Sequence, residues 1–207
     1  MSELAKTCGI SVGTLYVHFQ SKEDLLMGIS LHTLKIRAAI FCNIFARETW
    51  NPLEKIVSMI MANYWLSKSL NEISEIETLA LFPSIWKRAS STSMQMLDLA
   101  SGELIVKIRA NIIEALEGDY IRIVPRIQQQ HLGIAAIFWG TGMGLHQVFN
   151  SYCIQHHENI SAQEQQAIVI EAVLTLCKGF DAPHPLSHSE ALQLFQNIQT
   201  IVQEHTA

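Results

Sequence analysis

Four side chains within nine residues, Thr14, Tyr16, His18 and Lys22, offer hydroxyl, imidazole and ammonium donors at spacings of two, two and four. Together with the backbone around Gly13, donors this close suit the phosphate oxygens of a nucleic acid. Lys22 adds its charge at the start of a following helix, where the dipole already favours an anion. Val12 and Val17 put apolar surface into the same stretch, either to touch bases, such as a thymine methyl, or to stand in solvent. Tyr16 and His18 have an alternative use, packing the segment against the next helix.

Other chemistry finds less support. Cys153, His156 and His157 could share a helix face, but only Cys153 has usable spacing to a histidine and further ligands are missing nearby, so no metal site is expected. Gly140, Gly142 and Gly144 stand two apart with no strand before them, which does not make a dinucleotide loop. There is no glycine-elbow serine and no HExxH pair, and neither a cofactor nor enzymatic activity is expected.

The donors need elements to hold them. Leu4 and Ala5 supply a short helix, Gly9 permits the left-handed backbone of a tight turn, and Ser11 is a good N-cap for a helix from Val12 to His18. Leu15 and Phe19, four apart, are expected to face a core with Leu4 and Ile10. Ser21 then caps a third helix with Glu23 and Asp24 in its first turn. This is the second half of a helix-turn-helix followed by a long helix.

The run from Gly9 to Leu25, GISVGTLYVHFQSKEDL, resembles the TetR-type bacterial transcriptional repressors, whose motif is close to GVSKGTLYxHFxSKExL. The resemblance ends near Leu25; beyond it the chain is similar in architecture alone. It implies DNA contacts from Gly13, Thr14, Tyr16, His18 and Lys22, with Val12 and Val17 beside them. Val12 departs from the polar or basic residue common there, so an operator preference does not carry over. The resemblance also implies a further helix before Leu4. Met1 is accordingly expected to be internal to a longer reading frame, with a naturally partial head as the alternative.

A chain of 207 residues can make a small head on a larger body, and 49% hydrophobic against 16% charged residues suggests apolar surface covered by a ligand or a second subunit. The net charge of -5 divides into +1 over residues 1–40 and -6 over the rest, a DNA-facing head on an acidic body. Cys8, Cys42, Cys153 and Cys177 are scattered and are expected to be buried small residues in a reducing cytoplasm.

Apolar periodicity predicts an all-α fold. Helices are expected from Ser21 to about Ala46, Pro52 to about Leu70, Ile73 to Phe82, and Ser84 to about Leu116 with a break near Ser90 to Ser93. Asp119 to Arg126, with Pro125, reads as loop. Further helices follow from about Gln128 to His157, from Ser161 to Gly179 with a capping box to Glu164, and from Ser187 to about Glu204 after Pro183 and Pro185. The expected division is 1–46 for a partial helix-turn-helix head and connecting helix, 47–181 for effector binding and dimerisation, and 182–207 for a linker and C-terminal helix. No Asp, Glu, Lys or Arg lies between Arg126 and Glu158, but the apolar stretch Leu132 to Leu145 is shorter than the roughly 20 residues of a membrane span, and no span is expected.

Gly133, Ala136, Gly140 and Gly144 form a smooth stripe where another helix can approach. With Ile168, Ala172 and Leu176 of the following helix they resemble the family's dimer-forming pair. Met59, Tyr64, Trp65, Phe82, Trp86, Met94, Phe138 and Trp139 are candidates for an effector pocket, each with ordinary core packing as its alternative. Arg88, Lys107, Arg109 and Arg122 either meet an anionic effector or are solvated. The expected protein is a homodimeric repressor freed from operator DNA by a small apolar or aromatic effector. The alternative is a dimerising interaction module that does not bind DNA for want of its first helix, and a helical enzyme or carrier ranks third.

Overall fold

The computed structural model describes residues 1–80, 82–122, 126–152, 154–158 and 160–207, with 157 and 158 described by backbone. Its regular elements, among the described residues, are all helical. They are α1 (Ser2–Thr7), α2 (Val12–His18), α3 (Lys22–Phe45), α4 (Pro52–Ser69), α5 (Asn71–Ala80), α6 (Pro83–Trp86), α7 (Ser91–Glu117), α8 (Gln130–Phe149), α9 (Ala162–Gly179) and α10 (His188–Thr206). A π-helical segment, Ile154–Glu158, lies between α8 and α9. Pro125 of the expected loop lies outside the described residues.

Packing divides the chain into two compact units, Met1–Ile36 with Asn71–Glu103, and Arg37–Leu70 with Leu104–Ala207. The boundaries expected along the chain, 1–46, 47–181 and 182–207, do not coincide with these units. Contacts group 71–103 with the head and α10 with the body, because a helix belongs to whatever buries its apolar face. The division falls inside α3 and inside α7.

The helix ends are set by short-range hydrogen bonds. Ser11 Oγ accepts from the Thr14 N–H at 3.0 Å. Asn51 and Glu54 form a reciprocal capping box, with Glu54 N–H to Asn51 Oδ1 at 3.0 Å and Asn51 N–H to Glu54 Oε2 at 2.6 Å. Ser187 and Glu190 make another. The box expected at Ser161 is only half made: Ser161 Oγ accepts from Glu164 N–H at 3.2 Å, with no return bond among the described residues.

In the unit containing it, α4 is the central element. It is buried from Pro52 through Ser67 apart from the half-buried Glu54 and Trp65. A helix enclosed on this scale needs neighbours on several sides, and α8, α9 and α10 all pack on it. They bury, among others, Phe138 and Phe149 from α8, Val169 and Val173 from α9, and Phe195 and Ile198 from α10. Trp65 Nε1–H donates to the Phe195 carbonyl at 3.2 Å, and the two rings lie 5.0 Å apart. Segments Lys22–Phe45 and Gln130–His156 are long and apolar enough to cross a membrane by length and composition. In the fold they bury polar side chains, Asp24, Ser30, Thr33 and Arg37 on α3 and His146 on α8.

The glycines of α8 have two roles. A Cβ on Gly142 would stand 3.0 Å from Asn63 Cβ and 3.3 Å from Ile60 Cα, so this residue sets how closely α8 approaches α4. Gly140 and Gly144, by contrast, have nothing within 4 Å of such a carbon. Replacing Gly142 with Leu is expected to lower stability by about 1–3 kcal/mol in urea denaturation, the usual cost of overpacking. Gly140→Ala, in open space, is expected to hold stability or raise it by up to about 1 kcal/mol through helix propensity.

Candidate nucleic-acid interface and effector cavity

The turn between α1 and α2 is closed by backbone bonds from Gly9 N–H to the Lys6 carbonyl at 3.2 Å and from Ile10 N–H to the Ala5 carbonyl at 3.0 Å. Gly9 has φ +67°, a left-handed conformation that a side chain would strain. Within this hairpin Ala5 and Leu15 are the buried residues. Leu4 and Ile10, expected in the core, are 38% and 40% exposed, since nothing in the described head covers them. Phe19 is half-buried on α3, where Gly28 makes room for it: a Cβ there would lie 2.9 Å from Phe19 Cε1.

With Leu15 turned inward, the rest of α2 is open. Val12, Gly13, Thr14, Tyr16, Val17 and His18 are all exposed, Val17 at 81%, and Lys22 is exposed at the first position of α3. The Thr14 hydroxyl is 2.8 Å from Ser11 Oγ, which ties it into the cap. Tyr16 and His18 stand in solvent. One helix therefore presents hydroxyl, imidazole and branched apolar groups around an anchored leucine, with a lysine at the next helix start. Such a surface can seat on phosphate oxygens and bring apolar contacts to base edges.

Asp24 holds this unit together in a way that its place in a helix first turn did not reveal. The residue is 2% exposed, and its Oδ1 accepts from the Ser90 N–H at 2.7 Å. Ser90 Oγ in turn accepts from Ser93 N–H at 3.2 Å, capping α7 at the break expected near Ser90 to Ser93. Burial pushes the Asp24 carboxyl up, but hydrogen bonds from Ser90, Ser93 and Ser21 outweigh it and hold the group below the usual aspartate value. Arg88 and Glu23, 3.9 Å apart, form an exposed pair of little energetic weight.

The eight effector candidates separate. Met59 and Trp139 line a small chamber with Phe41, Asn63, Ile108 and Ala135, about 10 Å³ in volume. An outer groove of about 290 Å³ shares Ile108, Ala135 and Trp139 with it and is lined further by Ile105, Leu132 and Ala136, with Arg109 and His131. Tyr64 and Trp65 belong to an aromatic cluster with Phe195, and Phe138 stacks on Phe180 at 5.4 Å. Phe82 and Trp86 are exposed and Met94 is half-buried, all in the other compact unit. Asn63, Ile108 and Ala135 went unread because helical spacing alone marks them as core.

The dimer candidates leave surface open. Ala136 and Gly140 are exposed, while Gly133, beside Ile127, Gly144, Ile168, Ala172 and Leu176 are half-buried. Among the cations, Lys107 Nζ lies 2.9 Å from Cys42 Sγ. Arg122 bridges Asp181 at 2.6 Å and Asp119 at 3.5 Å, and these carboxylates hold its guanidinium firmly charged. Cys177 is buried, and burial raises its thiol pKa, but Cys8 is exposed and Cys42 half-buried, against the expectation that all would be interior. Cys153 lies outside the described residues, as does the His157 side chain; His156 stacks on Tyr152 at 4.1 Å. No group of three or more potential metal ligands occurs among the described residues.

Asp24→Ala is expected to lower stability by about 1–3 kcal/mol at neutral pH by leaving the Ser90 N–H without its acceptor. A carboxyl whose pKa is lowered on folding contributes fully above the unfolded value of 3.8 and loses its contribution as pH falls through the folded value. Denaturation of both proteins from pH 7 downward should therefore show the gap narrowing below about pH 4.

Residues 1–28 match a family model described as bacterial regulatory proteins, tetR family. No curated protein and no solved structure matches the chain.

Proposed function

We propose that this chain, whose residues 1–28 match the family model of tetR-family bacterial regulatory proteins, is a DNA-binding regulator of that kind, a homodimeric repressor released from its operator by a small apolar or aromatic effector. The reading is carried by α2, where Leu15 alone turns inward and Val12, Gly13, Thr14, Tyr16, Val17 and His18 stand free to meet a major groove. Two such heads would occupy successive major grooves about 34–36 Å apart. The dimer would form through α8 and α9, using the open stripe at Ala136, Gly140 and Gly144 with Ile168, Ala172 and Leu176. On this reading the protein works in the cytoplasm, beside its DNA.

An effector acts only by preferring the conformation that does not fit DNA, since equal affinity for both shifts nothing. The continuous helices α3 and α7 run from one compact unit into the other, and through them a change at the cavity would reach the head. A second reading, a module that dimerises without binding DNA, draws on the exposure of Leu4 and Ile10 in a thinly packed head.

The deciding test is a salt titration on DNA from upstream of its own gene against random DNA. A specific complex is expected to weaken steeply with salt yet outlast the random one. Lys22→Ala should weaken both complexes alike and reduce the salt slope by about 1. Absence of any specific complex, with dimers intact, would favour the second reading. For the dimer, Gly140→Leu is expected to leave the full chain folded by circular dichroism while shifting sedimentation from dimer to monomer. Unchanged sedimentation would remove α8 from the interface.

A further inference from the structure

Of the four cations that could meet an anionic effector, three are already engaged. Arg88 pairs with Glu23, Lys107 Nζ lies 2.9 Å from Cys42 Sγ, and Arg122 bridges Asp181 and Asp119. Arg109 is exposed and has no hydrogen bond or ion pair among the described residues. It stands on α7 in the wall of the groove of about 290 Å³, and His131 of α8, another lining residue, is likewise unpaired among the described residues. The lining is almost wholly apolar even with these two included, so Arg109 lays its methylene stem along the groove and carries its guanidinium out to water at the edge.

Nothing nearby quenches that charge. No carboxylate lines the groove, residues 105–113 of α7 hold Lys107 and Arg109 and no acid, and α8 carries neither Asp nor Glu. In a chain of net charge -5 this is an island of positive charge beside an apolar hollow. At roughly 30 Å³ of liquid volume per water-sized atom, the hollow takes about ten non-hydrogen atoms, the scale of a small molecule rather than of a helix from a second copy. One guanidinium fork matches one carboxylate in charge and in geometry.

We propose that the groove binds an apolar monocarboxylate, its body of about ten carbons against Ile105, Ile108, Leu132 and Trp139 and its carboxylate held at the edge by the Arg109 guanidinium. The inference rests on the effector reading above and gives that effector its chemistry. Binding strength comes from covering apolar wall, and selectivity from the charge: an uncharged molecule of the same shape fills the groove but leaves the guanidinium to water.

Calorimetric titration of the full chain with 2-naphthoate and with 2-naphthamide, alike in shape but differing in charge, tests it. The carboxylate is expected to bind about tenfold more tightly. Arg109→Gln, at an exposed position with no partner to lose, should melt as the wild type does and bind the two probes equally, while Arg109→Lys should keep most of the preference. Leu132→Gln, on the exposed wall, should weaken both probes alike. Decanoate in place of naphthoate distinguishes a chain from a ring, and loss of its binding in Arg109→Gln supports the same site. Equal affinities of naphthoate and naphthamide in the wild type, a preference that survives Arg109→Gln, or failure of both carboxylates to bind would overturn the proposal. Gel shifts on the gene's own upstream DNA, run on the same samples, separate the two readings. A carboxylate preference without a specific DNA complex upholds the site and removes the regulator, whereas a specific complex with equal probe affinities removes the site alone.

Discussion

A buried arginine cannot shed its charge, and Arg37, 1% exposed on α3, obliges its surroundings to supply acceptors and π faces. Asn63 on α4 gives its oxygen at 2.9 Å, and the Trp139 ring on α8 lies 5.5 Å from the guanidinium carbon. Three helices are thereby held to one register. The asparagine is turned so that its amide nitrogen faces α8, the tryptophan is held against the groove, and Gly142 must stay small for α8 to come close enough. Truncating either partner would strand a buried charge or a buried acceptor, a far larger penalty than the net worth of the bond itself.

The two compact units solve the problem of stability differently. Around α4, burial is extensive, and polar residues such as Ser58 and Asn63 are accommodated within it. Ser58 returns its hydroxyl hydrogen to the Glu54 carbonyl of the preceding turn at 2.6 Å. The head has much less to bury. Its hairpin relies on Ala5 and Leu15, on the Gly9 turn and on the Ser11 cap, and α7 is fixed there by the Asp24 carboxylate. Few buried contacts and several local hydrogen bonds make an element that opens at modest free energy.

Much of this was legible in the sequence, and what was missed has physical reasons. Helix α2 runs from Val12 to His18 as the Ser11 cap and Gly9 implied, and α4 opens at Pro52. These signals act within one turn of helix and need no tertiary knowledge. Its weak points lie where distance enters. The smooth stripe on α8 was read from spacing, yet the glycine that faces α4 is Gly142, outside that stripe, since 3.6-residue periodicity cannot say which of two faces meets which neighbour. The eight aromatic and methionine candidates divide for the same reason: Met59 and Trp139 line one chamber, while Phe82 and Trp86 stand exposed in the other unit. Asp24 looked like a dipole charge and is a strut to a residue 66 positions away. Asn63 offered no signal, because a lone asparagine on a greasy helix looks the same whether satisfied or waiting for a partner.

The covering of α4 by α10 also bears on how the chain is made. The bond from Trp65 to the Phe195 carbonyl joins residues 130 apart, so the most deeply buried helix of the body gains its last wall only after that whole stretch has been synthesised. At elongation rates of about 5–20 residues per second this is on the order of ten seconds. During that interval α4 has α8 and then α9 for shelter, Tyr64 meeting Phe149 and Gln165, but a bare flank at Trp65. Loop closure across such a separation also slows the final docking. The nascent body is therefore a substrate for whatever in the cell binds exposed apolar helices, and the speed at which α10 emerges competes with aggregation in setting how much working protein results.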